Sequence, residues 1–360
     1  MALFHEGKVV AVVEVTPERV RAKVALGDRE IDAVGYPSML QGELAEGDAV
    51  VVNVTGLELG LGTGGIGLIL WNLDGGGGTV GEGHIMKMRY TPWQMNVVAA
   101  EAPESPHHEA LRDADDLGGL PVVACGLHSQ IPAVAAGIRA AAPAARVGYL
   151  MTDGGALPAA FSNLVTQMKE AGLVDSTCTT GHAFGGDLEA VNVFSGLVAL
   201  QRATRCDAVI AAMGPGVVGT GSRLGHSAIE QGQLLDAATA LHGRAIATVR
   251  VSFHDGRPRH FGISHHTLTA LTVAARERCT VVVPKLPVAQ TRLMEAQLEK
   301  SEVCARHELV FASGRPGVRL LRERGINPVS MGRTMGEAPE LWYAAAAAGS
   351  VAGEALADGG

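Results

Sequence analysis

"PVVACGLHSQIPAVAAGIRAAAPAARVGYLMTDGG", residues 121–155, contains an apolar run of strand length, then a segment of helix length, then a second apolar run. Parallel neighbours in a sheet need a crossover connection of a dozen or more residues, and a helix usually supplies it. The stretch therefore predicts a β–α–β unit, which is the repeating element of an α/β domain.

The same alternation of strand-length and helix-length segments continues to about residue 335. The predicted strands lie near residues 121–126, 146–151, 176–180, 207–213, 245–251, 280–284 and 307–312, with a weaker one near 326–330. The predicted helices lie in "IPAVAAGIRAAA", "DLEAVNVFSGLVALQRA", "HSAIEQGQLLDAATALHG" and "VAQTRLMEAQLEKSEV". Residues 120–335 are thus predicted to form a doubly wound, mostly parallel α/β (Rossmann-like) domain. The Ala-rich tail, residues 336–360, is predicted to be a terminal helix that frays.

Residues 1–95 have a different pattern, with short Val-rich runs such as "KVVAVVEV" and "DAVVVNVTGLELG" that are interrupted every few residues. No helical period occurs among them, so they predict a small antiparallel β-barrel. A barrel of the oligonucleotide-binding type is one candidate. A Pro- and acid-rich connector, residues 96–119, joins this domain to the α/β domain.

Charge and composition exclude several classes of protein. The net charge is −8, with 7 Lys+Arg against 12 Asp+Glu up to residue 95 and 22 against 25 after it, so we expect no nucleic-acid partner. The five cysteines are scattered without a C-x-x-C pair, which fits reduced thiols in a cytoplasm. We read no signal peptide and no apolar run of about 18 residues, and so expect no membrane partner. We also expect a homo-oligomer.

Each of the first five predicted strands is followed by a loop rich in glycine or polar residues. Ligands of open parallel sheets bind at this edge, because the loops there meet helix N-termini that favour anions. The five loops are "LHSQ" (127–130), "TDGGALP" (152–158), "TTGHAFGGD" (179–187), "GPGVVGTGSRLGHS" (214–227) and "SFHDGRPRHFGISHHT" (252–267).

Residues 254–266 are the least ordinary part of these loops, because they hold four of the 13 histidines. The charged and imidazole side chains there are His254, Asp255, Arg257, Arg259, His260, His265 and His266. The planar guanidinium group of Arg can donate two parallel hydrogen bonds to the oxygens of a carboxylate or phosphate. The loop is therefore predicted to be a lid or an anion clamp. The alternative is a solvated loop in which Ser264 caps the next helix.

"GPGVVG", residues 214–219, fits the G-x-G-x-x-G pattern between a predicted strand and a predicted helix. No acidic residue ends the following strand, where a nicotinamide cofactor's ribose would be held. We therefore favour a backbone cradle for a phosphate, or close packing, over dinucleotide binding. The Walker sequence and the nucleophile elbow G-x-S-x-G are both absent, which argues against ATPases and serine hydrolases.

A divalent metal is a candidate cofactor, and no compact motif such as H-E-x-x-H supports it. Its candidate ligands lie on four of these loops, and they are His128, Asp153, His182, Asp187 and either His265 or His266. Such residues more often serve as caps and hydrogen-bond partners. Asp187 in particular is predicted to be the N-cap of the following helix, while glycines 181, 185 and 186 form the turn before it.

Several of these stretches together resemble the bacterial family designated domain of unknown function 3866. They are "GHIMKMRYTPWQ", "ESPHHEALRD", "MTDGGALP", "GHAFGGDLEAVNV", "GPGVVGTGSRLG" and "SHHTLTAL", and the resemblance extends over nearly the whole chain. It implies no particular activity, substrate or catalytic residue, so the predicted site rests on the residues alone.

The leading prediction is an enzyme that acts on a small anionic metabolite, of which a phosphorylated one is the favoured candidate, at the C-terminal edge of the sheet. His182 and His265 are the candidates for proton transfer, and Asp153 is the candidate general base or metal ligand. The predicted anion-binding residues are Gly154, Gly155, Gly214, Gly216, Gly219, Gly221, Arg223, Arg257, Arg259 and His266. The alternatives are a non-catalytic ligand-binding or regulatory protein and an oligomeric assembly protein.

Overall fold

A computed structural model describes residues 2–40, 42–61, 65–76 and 80–357. The chain divides into two compact units, Met1–Val97 and Val98–Gly360. Leu111 and Leu117, which lie in the predicted connector of residues 96–119, are buried in the apolar core of the second unit.

The first unit contains the predicted barrel. Five strands close in the order β1-β2-β3-β5-β4, and every pair is antiparallel except β3 with β5. This is the strand order of a Greek-key barrel of the oligonucleotide-binding type. The strands are β1 (Phe4–Val15), β2 (Val20–Leu26), β3 (Arg29–Gly35), β4 (Ala49–Asn53) and β5 (Gly67–Asn72), with a short helix α1 (Thr55–Glu58) and a separate pair β6 (Ile85–Lys87) and β7 (Met95–Val97).

The second unit is built on one sheet of eight strands in the order β11-β10-β9-β12-β8-β13-β16-β17, all parallel. The strands are β8 (Pro121–Ala124), β9 (Val147–Thr152), β10 (Ser176–Thr179), β11 (Leu188–Glu189), β12 (Ala208–Met213), β13 (Arg244–Ala247), β16 (Thr280–Pro284) and β17 (Glu308–Ala312). A small antiparallel pair lies outside it, β14 (Val251–Ser252) and β15 (Gly262–Ile263). The Rossmann-like α/β architecture is confirmed.

Helices cover both faces of this sheet, which gives two apolar layers. Ile131 and Trp342 belong to one layer, and Leu197 and Leu235 belong to the other. The helices are α2 (His108–Leu111), α3 (Ile131–Ala141), α4 (Asn163–Glu170), α5 (Val193–Arg202), α6 (Glu230–Ala240), α7 (His265–Thr269), α8 (Val288–Lys300), α9 (Val303–Arg306), α10 (Arg315–Glu323) and α11 (Glu340–Ala357). None of the described helices is long and apolar enough to cross a bilayer.

The prediction that the Ala-rich tail frays is wrong. Helix α11 is a core helix, in which Trp342 and alanines 344 to 348 are fully buried. Its Gly349 packs on Gly137 of α3, and a Cβ on Gly137 would lie 3.0 Å from the Gly349 Cα. Small residues allow this close approach, so burial in a tertiary contact stabilises a helix that would fray in isolation.

Two further local predictions are wrong. No strand forms at residues 326–330, where Ser330 makes only an isolated bridge to Arg333. The helix predicted from residue 187 begins at Val193 instead, because residues 188–189 pair with β10 as the edge strand β11. Its cap is Asn192, whose side chain accepts a hydrogen bond of 3.1 Å from the Ser195 N–H.

Candidate functional site

The strand order decides which of the predicted loops are neighbours. Strands β10, β9, β12, β8 and β13 are consecutive in the sheet, so the loops that follow them lie side by side at its C-terminal edge. This is the position at which open α/β sheets bind ligands.

Glycines bring the loops after β9 and β12 into contact. The Ala156 N–H donates a 2.8 Å hydrogen bond to the carbonyl oxygen of Pro215. Gly155 packs so closely on this segment that a Cβ there would lie 2.9 Å from the same oxygen. Gly154 lies against the carboxylate of Glu230, where a Cβ would be 2.8 Å from Oε2. Gly154 and Gly155 therefore serve close packing between loops.

The segment of residues 214–221, called here the glycine loop, lies against the histidine-rich segment. A Cβ on Gly219 would be 3.2 Å from Nε2 of His266, and one on Gly221 would be 3.4 Å from the Arg259 guanidinium. Gly216 and Gly221 also have left-handed backbones, with φ of 111° and 83°. Gly219, the last glycine of the G-x-G-x-x-G pattern, thus allows the backbone to approach an imidazole, and Gly221 allows it to approach a guanidinium group.

Four imidazole rings pack together beside this loop, and we call His226, His260, His265 and His266 the histidine cluster. The rings of His226 and His266 are stacked, with centroids 4.0 Å apart and an angle of 9° between the planes. The His265 ring lies 4.5 Å from the His266 ring, and the His260 ring lies 5.0 Å from each of these two. The sequence prediction missed His226, whose only sequence signal is its place between the glycine loop and the next helix.

Local structure fixes the rings. Pairing of β14 with β15 closes the loop between them, and Ser264 caps α7, as the alternative interpretation predicted. The Ser264 hydroxyl oxygen accepts from the His266 N–H at 3.3 Å and lies 2.7 Å from Nδ1 of His260. The segment is nevertheless not a solvated loop, because His260 and His266 are 2% and 7% exposed.

Arginines surround the histidine cluster. Asp255 is buried and accepts two side-chain hydrogen bonds from Arg257, at 2.9 and 2.7 Å, and these hold the pKa of the carboxyl well below its usual range. Arg250 is also buried, which lowers its pKa to about 10, and its Nη1 lies 3.4 Å from Nδ1 of His266. Arg250 was not predicted, because it falls inside a strand-like apolar run.

Burial and these arginines keep the imidazoles neutral at pH 7. Burial is the largest cause, and it lowers the pKa of His260 to about 4 and that of His266 to about 3. The pKa of His265 is lowered by burial, then by His226 and Arg259. Its Nε2 is buried and makes no hydrogen bond within the described residues. His265 thus presents a neutral ring to a buried site.

Two of the predicted metal ligands are engaged elsewhere. The His128 ring is buried, with Nδ1 3.2 Å from the Tyr149 hydroxyl and Nε2 2.6 Å from that of Ser162. The Asp187 carboxylate accepts from the backbone N–H of Thr177 at 2.8 Å and from the Lys169 ammonium at 2.5 Å. Asp187 therefore secures the edge of the sheet and does not cap a helix.

Asp153 and His182 do meet, through the backbone. The Asp153 carboxylate accepts a 2.9 Å hydrogen bond from the His182 N–H. The preceding Gly181 has a left-handed backbone (φ 63°), and a Cβ there would overlap the carboxylate. The pair joins the loops after β9 and β10.

Arg223, which was also predicted to bind the anion, is exposed and lies just after the glycine loop.

Among the described residues, His, Cys, Asp and Glu ligand atoms gather within 4.8 Å in one group of three, His260, His265 and His266. The predicted ligands His128, Asp153, His182 and Asp187 do not form such a group. Three imidazoles suit zinc, but Arg250 can only donate to Nδ1 of His266. That bond places the ring proton on Nε2 and so removes the lone pair that a metal would need. The nearby positive charges of Arg250, Arg257 and Arg259 also favour an anion over a cation.

The chain belongs to the family described as a protein of unknown function (DUF3866), whose model matches residues 32–349 of 360. A comparison with curated proteins finds no match.

Proposed function

We propose that this protein is an enzyme that acts on a small anionic metabolite, such as a phosphate ester, bound between the glycine loop and the histidine cluster. One observation carries the proposal. The backbone of Gly219 lies directly against His266, and that of Gly221 lies against Arg259. Backbone N–H groups that can bind an anion therefore lie beside neutral imidazoles. Binding and proton transfer thus occur side by side.

The anionic group is held by charge and by backbone donors. The amides of Gly216, Gly219 and Gly221 donate no hydrogen bond within the described residues, and they are available to oxygens of a ligand. Arg259 adds an exposed guanidinium, which lies beside Gly221. Guanidinium groups and backbone N–H groups are the usual ligands of phosphate and carboxylate oxygens.

Proton transfer is assigned to His265. A general base must be unprotonated at the working pH, and the lowered pKa of His265 keeps this ring neutral. Its buried Nε2 makes no hydrogen bond within the described chain, so it can accept a proton from the metabolite. Asp153 and His182, which are joined through the His182 backbone N–H on the two neighbouring loops, enter the proposal as further candidates for proton transfer. No metal is needed for this step.

The test has two stages. The first is a thermal-shift panel of inorganic phosphate, phosphate esters and carboxylates, from which we expect phosphate esters to raise Tm. The second compares turnover of the stabilising compounds by the native protein, by His265→Ala and by a control, His242→Ala, whose side chain is 79% exposed. We expect His265→Ala to lose turnover and keep binding, while the control keeps both. Binding without turnover by the native protein would indicate a ligand-binding or regulatory protein. If no compound in the panel raises Tm, the result would indicate an assembly role.

We also propose that this protein is a bacterial cytoplasmic homo-oligomer. Four of its five cysteines are buried as free thiols, which supports a reducing compartment. Size-exclusion chromatography with light scattering tests the oligomeric state, and a monomer at micromolar concentration would contradict it.

A further inference from the structure

Next to the histidine cluster lies a small cavity whose lining includes Arg250, Arg333, Met331 and Trp342. A tight turn of residues 330–333, called here the Met331 turn, forms part of its lining. Ser330 and Arg333 exchange backbone hydrogen bonds of 2.9 and 3.0 Å. Met331 and Gly332 both have left-handed backbones, with φ of 52° and 75°, as in a type I′ turn.

The Met331 thioether is the common target of two guanidinium groups. Nη2 of Arg250 lies 2.7 Å from the Met331 Sδ, and Nη2 of Arg257 lies 3.6 Å from it. A thioether sulfur is a weak acceptor, whereas guanidinium groups bind oxyanions strongly. The two donors are therefore directed at a point that an anion would occupy more favourably than a thioether does.

A third donor belongs to the same cavity. Trp342 is fully buried, and its indole N–H makes no hydrogen bond within the described residues. A buried N–H without an acceptor costs about 1–3 kcal/mol, so such a group calls for a partner. The acid in the cavity lining, Asp255, is already bonded to Arg257 through both carboxylate oxygens.

We propose that this cavity is an oxyanion subsite, in which an oxygen of a bound phosphate or carboxylate group replaces the Met331 thioether between Arg250, Arg257 and Trp342, with Arg333 in the cavity lining as a further cationic group. Arg250 joins the subsite to the histidine cluster, since its Nη1 faces His266 and its Nη2 faces Met331. The metabolite of the proposed function, on which this inference rests, therefore carries two anionic groups, one at the glycine loop and one at the Met331 turn.

Inorganic phosphate is the probe, and the indole N–H signal of Trp342 in a ¹⁵N-labelled sample reports on the subsite. The chain has three tryptophans, so Trp71→Phe and Trp93→Phe identify the other two signals. We expect phosphate to shift the Trp342 signal. Arg333→Gln should weaken this response about tenfold, whereas the control Arg319→Gln, on a side chain that is 78% exposed, should not change it. Met331→Ala should tighten phosphate binding at the subsite by removing the competing thioether.

The outcomes separate the subsite from the proposed function. If phosphate raises Tm but leaves the Trp342 signal in place, the subsite is overturned and the proposed function stands. If neither phosphate nor any compound of the thermal-shift panel raises Tm and the Trp342 signal stays in place, both are overturned. If the signal shifts in Arg259→Gln as in the native protein, the subsite binds anions independently of the glycine loop. If Arg333→Gln does not fold, Met331→Ala still tests the subsite. Weaker phosphate binding by Met331→Ala would contradict the replacement of the thioether.

Discussion

The imidazole of His226 lies parallel to that of His266, with ring centroids 4.0 Å apart, and Arg250 lies beside His266. Burial is the largest cause of the lowered pKa of each ring, and the charge of Arg250 lowers both pKa values further. The histidine cluster therefore belongs to a site that works with neutral rings. Its properties depend on pH in a predictable direction.

The first prediction concerns activity and pH. Since burial lowers the pKa of His265 below the 6.5 that is usual for histidine, turnover that needs the neutral ring should be constant above pH 6.5 and fall only at lower pH. Arg259→Gln removes one cause of the lowered pKa and should move the midpoint upward. The measurement is kcat/KM against pH. A midpoint at or above pH 6.5 in the native protein would contradict the assignment of His265.

The second prediction concerns stability and pH. His128, His260 and His266 are buried, with pKa values lowered to about 4, 4 and 3. Above pH 6.5 both folded and unfolded states leave them neutral, whereas below it only the unfolded state gains protons. The free energy of unfolding should thus fall between pH 6.5 and about 4, by up to about 1.4 kcal/mol per pH unit for each histidine.

Denaturant titrations at several pH values measure this slope. His266→Gln should reduce the slope by the contribution of one histidine. His242→Gln, at an exposed position, should leave the slope unchanged. An equal slope in His266→Gln and the native protein would show that His266 is not held neutral.

The third prediction concerns the contact between the glycine loop and the histidine cluster. The backbone of Gly219 is not left-handed, but a Cβ there would be 3.2 Å from Nε2 of His266, a ring already fixed by its stack. Gly219→Ala should therefore displace the loop and weaken phosphate binding by about tenfold, or about 1.4 kcal/mol. Calorimetric titration measures the loss. In Gly256→Ala, the added Cβ meets nothing within 4 Å, so binding should be unchanged.

The fourth prediction concerns the packing of α11. A Cβ on Gly349 would overlap the carbonyl of Val134 in α3, so Gly349→Ala should destabilise the protein by about 1–3 kcal/mol. Chemical denaturation gives the value, with Gly336→Ala as the control, since its Cβ meets only Thr334 at 3.9 Å. A native-like stability of Gly349→Ala would mean that the helices separate easily.

Much of the fold follows from local sequence patterns. Apolar runs such as "PVVA" and "AVIAAM" are buried on both faces and alternate with helical segments, so they predict the parallel strands β8 and β12 directly. Composition alone does not reveal the burial of α11, because an Ala-rich segment suits both a frayed end and a tight helix contact. The helix is buried because its glycine packs closely against the glycine of α3, and this contact is visible only in the three-dimensional structure.

The site was predictable only in part. The loops after the strands were identified, but strand order depends on long-range pairing, and only that order places the glycine loop beside His266. Arg250 and His226 carry no local signal, the first lying in an apolar run and the second alone before a helix. Asp187 has a local signal that misleads, because its position predicts a helix N-cap. Strand β11 lies between Asp187 and the helix, and the carboxylate binds Thr177 and Lys169 instead.

The most direct test of the central claim is a crystal structure with bound tungstate, whose anomalous signal locates a phosphate analogue. We predict an anomalous peak within hydrogen-bonding distance of the Arg259 guanidinium and the Gly221 amide, next to His265. Crystals in which tungstate binds elsewhere, with no peak between the glycine loop and the histidine cluster, would contradict the account.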